Sequence, residues 1–176
     1  MKSAYVFIPC LLFILCTSLC AMASEVIGHR GAAFYAPENT LVSIETAWKM
    51  GADGVEVDVH MSRDGRIMVI HDDEALRTAG AKLKVAEANS SELRALDAGS
   101  WKGPRFSGEK IPFLEEALST VPPGKKFLIE IKCGTPAVKN IVNIVNMSRK
   151  TRQVVFISFK LDVVKMIKKM MPEAGA

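Results

Sequence analysis

Glu56 and Asp58 stand two residues apart in a run of valines, Gly54-Val55-Glu56-Val57-Asp58-Val59. In a β-strand that spacing puts both carboxylates on one face and the valines on the other. Carboxylates facing inward from a buried strand are costly unless something cationic compensates them, and a bound divalent metal ion is the obvious candidate. A polar turn, Ser62-Arg63-Asp64-Gly65-Arg66, comes next, then a second apolar run, Ile67–Ile70, ending in His71-Asp72. A two-residue hairpin turn at Asp64-Gly65 pairs Arg63 with Arg66 and sets Asp58 opposite His71. A three-residue turn with a bulge shifts the register by one and moves His71 to the other face. The two-residue turn is the expectation carried forward, with two carboxylates and an imidazole in one patch.

Other residues could join that patch. Val26-Ile27-Gly28-His29-Arg30-Gly31 reads as a short buried strand with a glycine-flanked polar tip, which permits close backbone approach around His29 and Arg30. Glu38 and Asn39 follow in Ala36-Pro37-Glu38-Asn39-Thr40; either they reach the site or they serve only as helix caps. Glu130 interrupts the apolar run Phe127–Ile131, with Lys132 two positions on along the same face. That pair is either a structural ion pair or a further metal-binding carboxylate beside a lysine aimed at a bound anion. His60 continues the alternation after Asp58 toward the turn, where a structural or solvent-facing role suits it.

The elements that must position these residues alternate. An apolar stripe at Leu41, Ile44, Ala47 and Trp48 predicts a helix capped by Asn39 and ended by Gly51. Strand, helix and the strand of residues 54–58 then form a βαβ unit with parallel strands. His29 falls at the same strand end as Glu56 and Asp58, where α/β sheets place their sites. Residues 73–112 are irregular and rich in glycine and proline, with a short helix from Ser90 to Leu96 capped by Ser90 or Ser91. Trp101, Phe106 and Ile111 argue that this segment is an ordered inserted lobe; packing is the simpler role for the two aromatics, ligand contact the other. Further elements are a helix at 111–120, the strand at 127–131, a helix opened by Thr135-Pro136, a strand from Val154 ending at Ser158, and a helix at 160–171 with Val163, Met166, Ile167 and Met170 inward. The class is α/β, with about five candidate strands against the eight of a closed barrel of about 250 residues. Either the sheet is open or the chain is a fragment.

The chain has 176 residues, 49% hydrophobic and 24% charged, with net charge +4. Its lysines and arginines are scattered, which argues against nucleic acid as a partner; no obligate protein partner is suggested. Residues 1–23 read as a secretory signal peptide: Lys2 is the only charge before Glu25, Val6–Cys20 is nearly all apolar, and Ala21-Met22-Ala23 offers a cleavage site before Ser24. An uncleaved anchor is the rival reading, against which the apolar stretch is short and contains Pro9. The expected location is therefore periplasmic or secreted. Cleavage leaves Cys133 as the single cysteine, so no internal disulfide is expected.

Taken together, His29-Arg30-Gly31, Pro37-Glu38-Asn39-Thr40, Glu56-x-Asp58, Asp64-Gly65, His71-Asp72, Leu96-Asp97-Ala98-Gly99, Ile111-Pro112-x-Leu114-Glu115-Glu116, Glu130-Ile131-Lys132 and Ser158-Phe159 occur in the order and spacing of a known family. The sequence resembles a glycerophosphodiester phosphodiesterase. The resemblance implies a (β/α)8 TIM barrel, C-terminally incomplete here, spanning residues 24–176 with the family's small inserted lobe at 73–112. It implies hydrolysis of small-molecule glycerophosphodiesters to glycerol 3-phosphate and an alcohol. The positions of His29 and His71 match the family's acid and base. Glu56, Asp58 and Glu130 match its metal ligands, and Arg30 and Lys132 match phosphate-contacting positions.

The residue chemistry agrees with that expectation. Metal and cations would offset the charge of a phosphodiester, and one histidine can protonate the leaving alkoxide while the other serves as base. An all-oxygen ligand set favours Ca²⁺ or Mg²⁺ over zinc. Two alternatives stand beside this reading: a phospholipase C-like enzyme that stops at a cyclic phosphate, and an inactive truncated copy that only binds ligand.

Overall fold

A computed structural model describes residues 24–175; the expected signal peptide lies outside the described residues. The strands are β1 (Ile27–Gly28), β2 (Gly54–Met61), β3 (Ile67–Val69), β4 (Lys126–Ile131) and β5 (Val154–Ile157). The helices are α1 (Leu41–Lys49), α2 (Leu76–Ala79), α3 (Ser90–Ala95), α4 (Leu114–Ser119), α5 (Val138–Ser148) and α6 (Leu161–Met170). No helix among the described residues is long and apolar enough to cross a membrane.

Strands β1, β2, β4 and β5 run parallel in that order, and β3 lies antiparallel to β2. Val59 pairs with Ile131 on one side and Val69 on the other, so β3 occupies the same edge of β2 as β1, further along. This is the expected α/β order. The β2 alternation divides the sheet as the sequence pattern requires. Val55, Val57 and Val59 are fully buried and join Phe127, Ile129 and Phe156 against Ile44 of α1, Leu114 and Leu118 of α4, Ile141 and Val145 of α5 and Val163 and Ile167 of α6. Glu56, Asp58, Leu128 and Glu130 point to the opposite face.

Several local expectations are corrected. Thr40, not Asn39, caps α1, its hydroxyl accepting from Ser43 N–H at 3.3 Å. The cap position of α3 is Asn89, whose own N–H donates to Glu92 at 2.7 Å. Thr135-Pro136 opens a 3₁₀ turn that leads into α5. Met170, expected inward, is exposed on α6.

The hairpin register is also corrected. The last β2–β3 pair is Met61 with Ile67, and the loop between Ser62 and Arg66 holds three residues. Gly65 N–H donates to Ser62 O at 2.9 Å and Ser62 N–H to Arg66 O at 2.9 Å. Gly65 has φ +81, a left-handed conformation that glycine takes without penalty and that marks a three-residue turn with a bulge. Asp58 therefore faces Ile70, whose N–H donates to its carbonyl at 3.0 Å, and not His71.

From residues 73–112, the expected lobe, Ala75, Val85, Leu93, Ala98 and Ile111 join Met68 and Ile70 of the hairpin in a second hydrophobic cluster. Trp101 stays 42% exposed, its indole N–H donating to Ala98 O. Asp64 at the hairpin turn ties sheet to lobe. Its carboxylate accepts from Ser62 Oγ at 2.6 Å, Ser90 N–H at 2.8 Å and Ser90 Oγ at 2.7 Å.

Those hydroxyl and amide donors hold the Asp64 carboxyl down at about 2. A depressed carboxylate contributes stability that is present above its ordinary value, near 4, and is lost as pH falls toward the folded value. We expect the thermal midpoint of the wild type to fall between pH ~4 and pH ~2. Asp64→Ala should start from a lower midpoint at pH 7 and fall less steeply over that window. Identical slopes for the two proteins would show that Asp64 does not anchor the lobe.

Candidate active site

The site sits at the C-terminal ends of the parallel strands. The tip of β1 bends sharply there. Arg30 has φ +53 and Gly31 φ +80, and a β-carbon on Gly31 would lie 2.5 Å from Ser43 Oγ and 2.6 Å from the Ser43 carbonyl carbon. Only glycine fits between this tip and α1. The bend turns Arg30 N–H toward Glu56 Oε2, at 2.9 Å. It also sets the Arg30 guanidinium between two acids, with Nη1 2.9 Å from Glu38 Oε1 and Nε 3.3 Å from Asp58 Oδ2. The His29 ring is largely exposed, its Nε2 4.0 Å from Glu56 Oε2.

Asn39 also has a left-handed backbone, φ +57. In place of capping the helix, its amide clasps Asp58: Nδ2 donates to Oδ2 at 2.9 Å and Oδ1 accepts from Asp58 N–H at 3.1 Å. Of the two roles open to Asn39 and Glu38, the structure puts both side chains at the site.

Glu56, Asp58 and Glu130 each bring one carboxylate oxygen to within 4.8 Å of the others. Asp58 and Glu130 are direct neighbours across β2 and β4. Burial first, then the nearby Asp58 and Glu130 charges, push the Glu56 carboxyl up to about 7, against the lowering effect of Arg30. Glu56 Oε1 and Asp58 Oδ1 are buried without a hydrogen-bond donor. Unpartnered buried carboxylate oxygens are rare and costly; three converging carboxylates with two such oxygens fit a hard divalent cation.

Lys132 stands beside them, its Nζ 3.0 Å from Glu130 Oε1 and 3.5 Å from Asp58 Oδ1. Burial pulls the Lys132 ammonium down, but Glu130 and Asp58 outweigh it and leave it above the usual amine range. The two readings of Glu130 and Lys132 are thus not exclusive: they form an ion pair, and Glu130 also belongs to the carboxylate cluster.

Lys132 Nζ lies 3.3 Å from His71 Nε2, so His71 reaches the patch despite the changed register. The ladder stops at Val69 and the chain leaves the sheet. His60 Nε2 meets the His71 carbonyl at 3.0 Å, with its ring pulled toward the neutral form chiefly by burial. Asp72 Oδ1 lies 2.6 Å from His71 Nδ1. Sequence reasoning missed one participant. Arg77 of α2 reaches Asp72 Oδ2 with Nε at 2.7 Å and both oxygens of Glu38 at 2.8 Å. Nothing in its own segment signals this, because α2 is four residues long and carries no readable period.

The glycerophosphoryl diester phosphodiesterase family matches residues 29–175. A glycerophosphodiester phosphodiesterase of Caldanaerobacter subterraneus is 36% identical over 157 residues, covering 86% of this chain and 64% of that protein. Among solved structures, a phosphodiesterase from Oleispira antarctica in complex with the product sn-glycerol-3-phosphate is similar with a TM-score of 0.81 and 33% identity, over 86% of this chain and 64% of that one. A glycerophosphodiester phosphodiesterase from Agrobacterium tumefaciens gives 0.80 and 34% over 86% and 65%. The chain spans less than two thirds of each of these proteins.

Asn39→Ala removes both hydrogen bonds to buried Asp58 and puts a β-branch-free but L-configured residue at positive φ. We expect a loss of about 2–4 kcal/mol in urea unfolding. A loss below about 0.5 kcal/mol would mean that Asp58 does not depend on the clasp.

Proposed function

The chain belongs to the glycerophosphoryl diester phosphodiesterase family, and on that footing we propose that it hydrolyses glycerophosphodiesters to sn-glycerol 3-phosphate and an alcohol. The observation that carries the proposal is the cluster of Glu56, Asp58 and Glu130, with two buried oxygens lacking donors, ringed by Arg30, Lys132, His29 and His71.

In this reading the phosphate of the substrate meets Arg30 and Lys132. Arg30 is already oriented by Glu38 and Asp58, so its planar fork meets the anion without reorganising. Lys132 stands between the carboxylates and His71, placed to follow negative charge onto a phosphoryl oxygen. Glu56, Asp58 and Glu130 would hold a divalent cation, Ca²⁺ or Mg²⁺ by the preference of oxygen donors, supplying Lewis-acid stabilisation of the phosphoryl charge.

The two histidines divide the proton traffic. As the P–O bond to the alcohol breaks, one imidazole gives its proton to the leaving oxygen; the other takes a proton from the incoming nucleophile. Asp72, accepting at Nδ1 of His71, leaves Nε2 turned toward the site, the atom next to Lys132. His29, open to solvent beside Glu56, is accessible to the second proton. Residues 24–176 with the lobe at 73–112 are proposed as one catalytic unit. The apolar N-terminal stretch before Ala21-Met22-Ala23 supports an exported protein.

Incubation with a glycerophosphodiester, followed by phosphorus NMR, tests the reading. We expect glycerol 3-phosphate in Ca²⁺ or Mg²⁺ and none in EDTA. Persistent turnover in EDTA would remove the metal, and accumulation of a cyclic phosphate would move the protein to the phospholipase C type. His29→Ala and His71→Ala should each lower kcat by roughly 10²-fold or more while a Ca²⁺- or Mg²⁺-dependent rise in thermal midpoint survives. Normal turnover in either variant would refute its assignment.

A further inference from the structure

The inserted lobe sends one side chain into the charged network. Arg77 commits all three guanidinium nitrogens there: Nε on Asp72 at 2.7 Å and one Nη on each oxygen of Glu38, both at 2.8 Å. Each partner has its other contact inside the site. Glu38 Oε1 also takes Arg30 Nη1 at 2.9 Å, and Asp72 Oδ1 takes His71 Nδ1 at 2.6 Å. The result is a continuous chain, Arg30–Glu38–Arg77–Asp72–His71. Its ends come from different places, the tip of β1 and the segment beyond β3. Among the described hydrogen bonds, Arg77 is the only group joined to both halves.

An exposed ion pair alone would argue little. Here the shared acid is buried between two arginines, with a Glu38 side chain only 11% exposed. Glu38 stays below the usual carboxylate range although burial opposes this, because Arg77 and Arg30 outweigh burial. Asp72 is held at about 2, first by Arg77. The contacts are charge-assisted and in part bidentate, a geometry that a lysine ammonium does not reproduce.

We propose that Arg77 is a positioning residue: a single guanidinium from the lobe orients the phosphate-facing Arg30 through Glu38 and the proton-transferring His71 through Asp72. The proposal deepens the hydrolase reading and rests on it for the roles of Arg30 and His71. Its structural content is separate. Asp72, held by Arg77, fixes the His71 proton on Nδ1 and frees Nε2. Without Arg77, Asp72 loses the contact that aims it, and the Nδ1–H tautomer of neutral His71 keeps only the Lys132 ammonium at Nε2 to favour it.

The test compares the wild-type chain with Arg77→Ala and Arg77→Lys. Nitrogen-15 NMR of the His71 ring in its neutral form should show the Nδ1–H tautomer in the wild type and a shift toward Nε2–H in both variants. With a glycerophosphodiester, kcat should fall roughly 10–100-fold in Arg77→Ala, with incomplete recovery in Arg77→Lys, and guanidinium ion added at low concentration should restore part of the Arg77→Ala activity only. An unchanged His71 tautomer in both variants would overturn the proposal, as would kinetics equal to wild type. A wild type that fails to hydrolyse the diester would instead count against the hydrolase reading, and the tautomer signal would still decide the role of Arg77.

Discussion

The constraint on which the structure depends is repulsion among three carboxylates on one face of the sheet. Glu56, Asp58 and Glu130 present oxygens no more than 4.8 Å apart, where two unit charges repel by about 3 kcal/mol at an effective dielectric near 20. Burial adds to the cost of charging them. The protein answers with fixed donors. Arg30 donates its backbone N–H to Glu56, and its guanidinium lies 3.3 Å from Asp58 Oδ2 as an ion pair without a hydrogen bond. Asn39 gives Asp58 an amide clasp, and Lys132 lies against Glu130 and Asp58. The compensation is incomplete at Glu56 Oε1 and Asp58 Oδ1, which are buried without a hydrogen-bond donor. That deficit is one a bound cation could offset.

Backbone conformation follows from the same demand. Arg30, Gly31 and Asn39 all have positive φ, and two of the three are not glycine. Such conformations cost about 1 kcal/mol or more per residue for an L side chain, and at Arg30 and Asn39 they survive because each brings a donor to a carboxylate. Ser43 secures the bend by donating its hydroxyl to Arg30 O at 3.0 Å, and Asn39 N–H donates to the same carbonyl at 3.1 Å. The tip of β1 and the start of α1 are therefore one unit, shaped around Asp58 and Glu56.

What was legible in the sequence was what repeats. The alternation Val-Glu-Val-Asp-Val divides β2 correctly between core and site, and the stripe Leu41, Ile44, Ala47, Trp48 places α1. Residues of unusual chemistry in apolar runs, Glu56, Asp58 and Glu130, converge as their spacing implies. The errors come from local backbone choices that side-chain pattern does not encode. Asp64-Gly65 suits a two-residue turn as well as it suits the last two positions of a three-residue one; Asp64 settles the choice through Ser62 and Ser90, the latter 26 residues away. Asn39 reads as a cap because it precedes a helix, yet Thr40 serves that role and releases Asn39 to the site. Arg77 was not legible at all, since its partners Glu38 and Asp72 meet only after the lobe has folded against the strand tips.

The lobe is best understood through His71. The observed hairpin register sets Asp58 opposite Ile70, so a β3 continued two residues, through His71, would turn the His71 side chain away from the carboxylates. The strand ends instead at Val69, whose N–H donates to Pro112 O at 2.8 Å, the far end of the inserted segment. Ile70 packs into the lobe core, His60 meets the carbonyl of His71, and Asp72 meets its ring. Each of these contacts draws the chain off the sheet. The segment from 73 to 112 thus does more than fill space beside the strands. By ending the β3 ladder early and returning Arg77 to Asp72 and Glu38, it holds the His71 imidazole beside Lys132, where the hairpin register alone would not have put it.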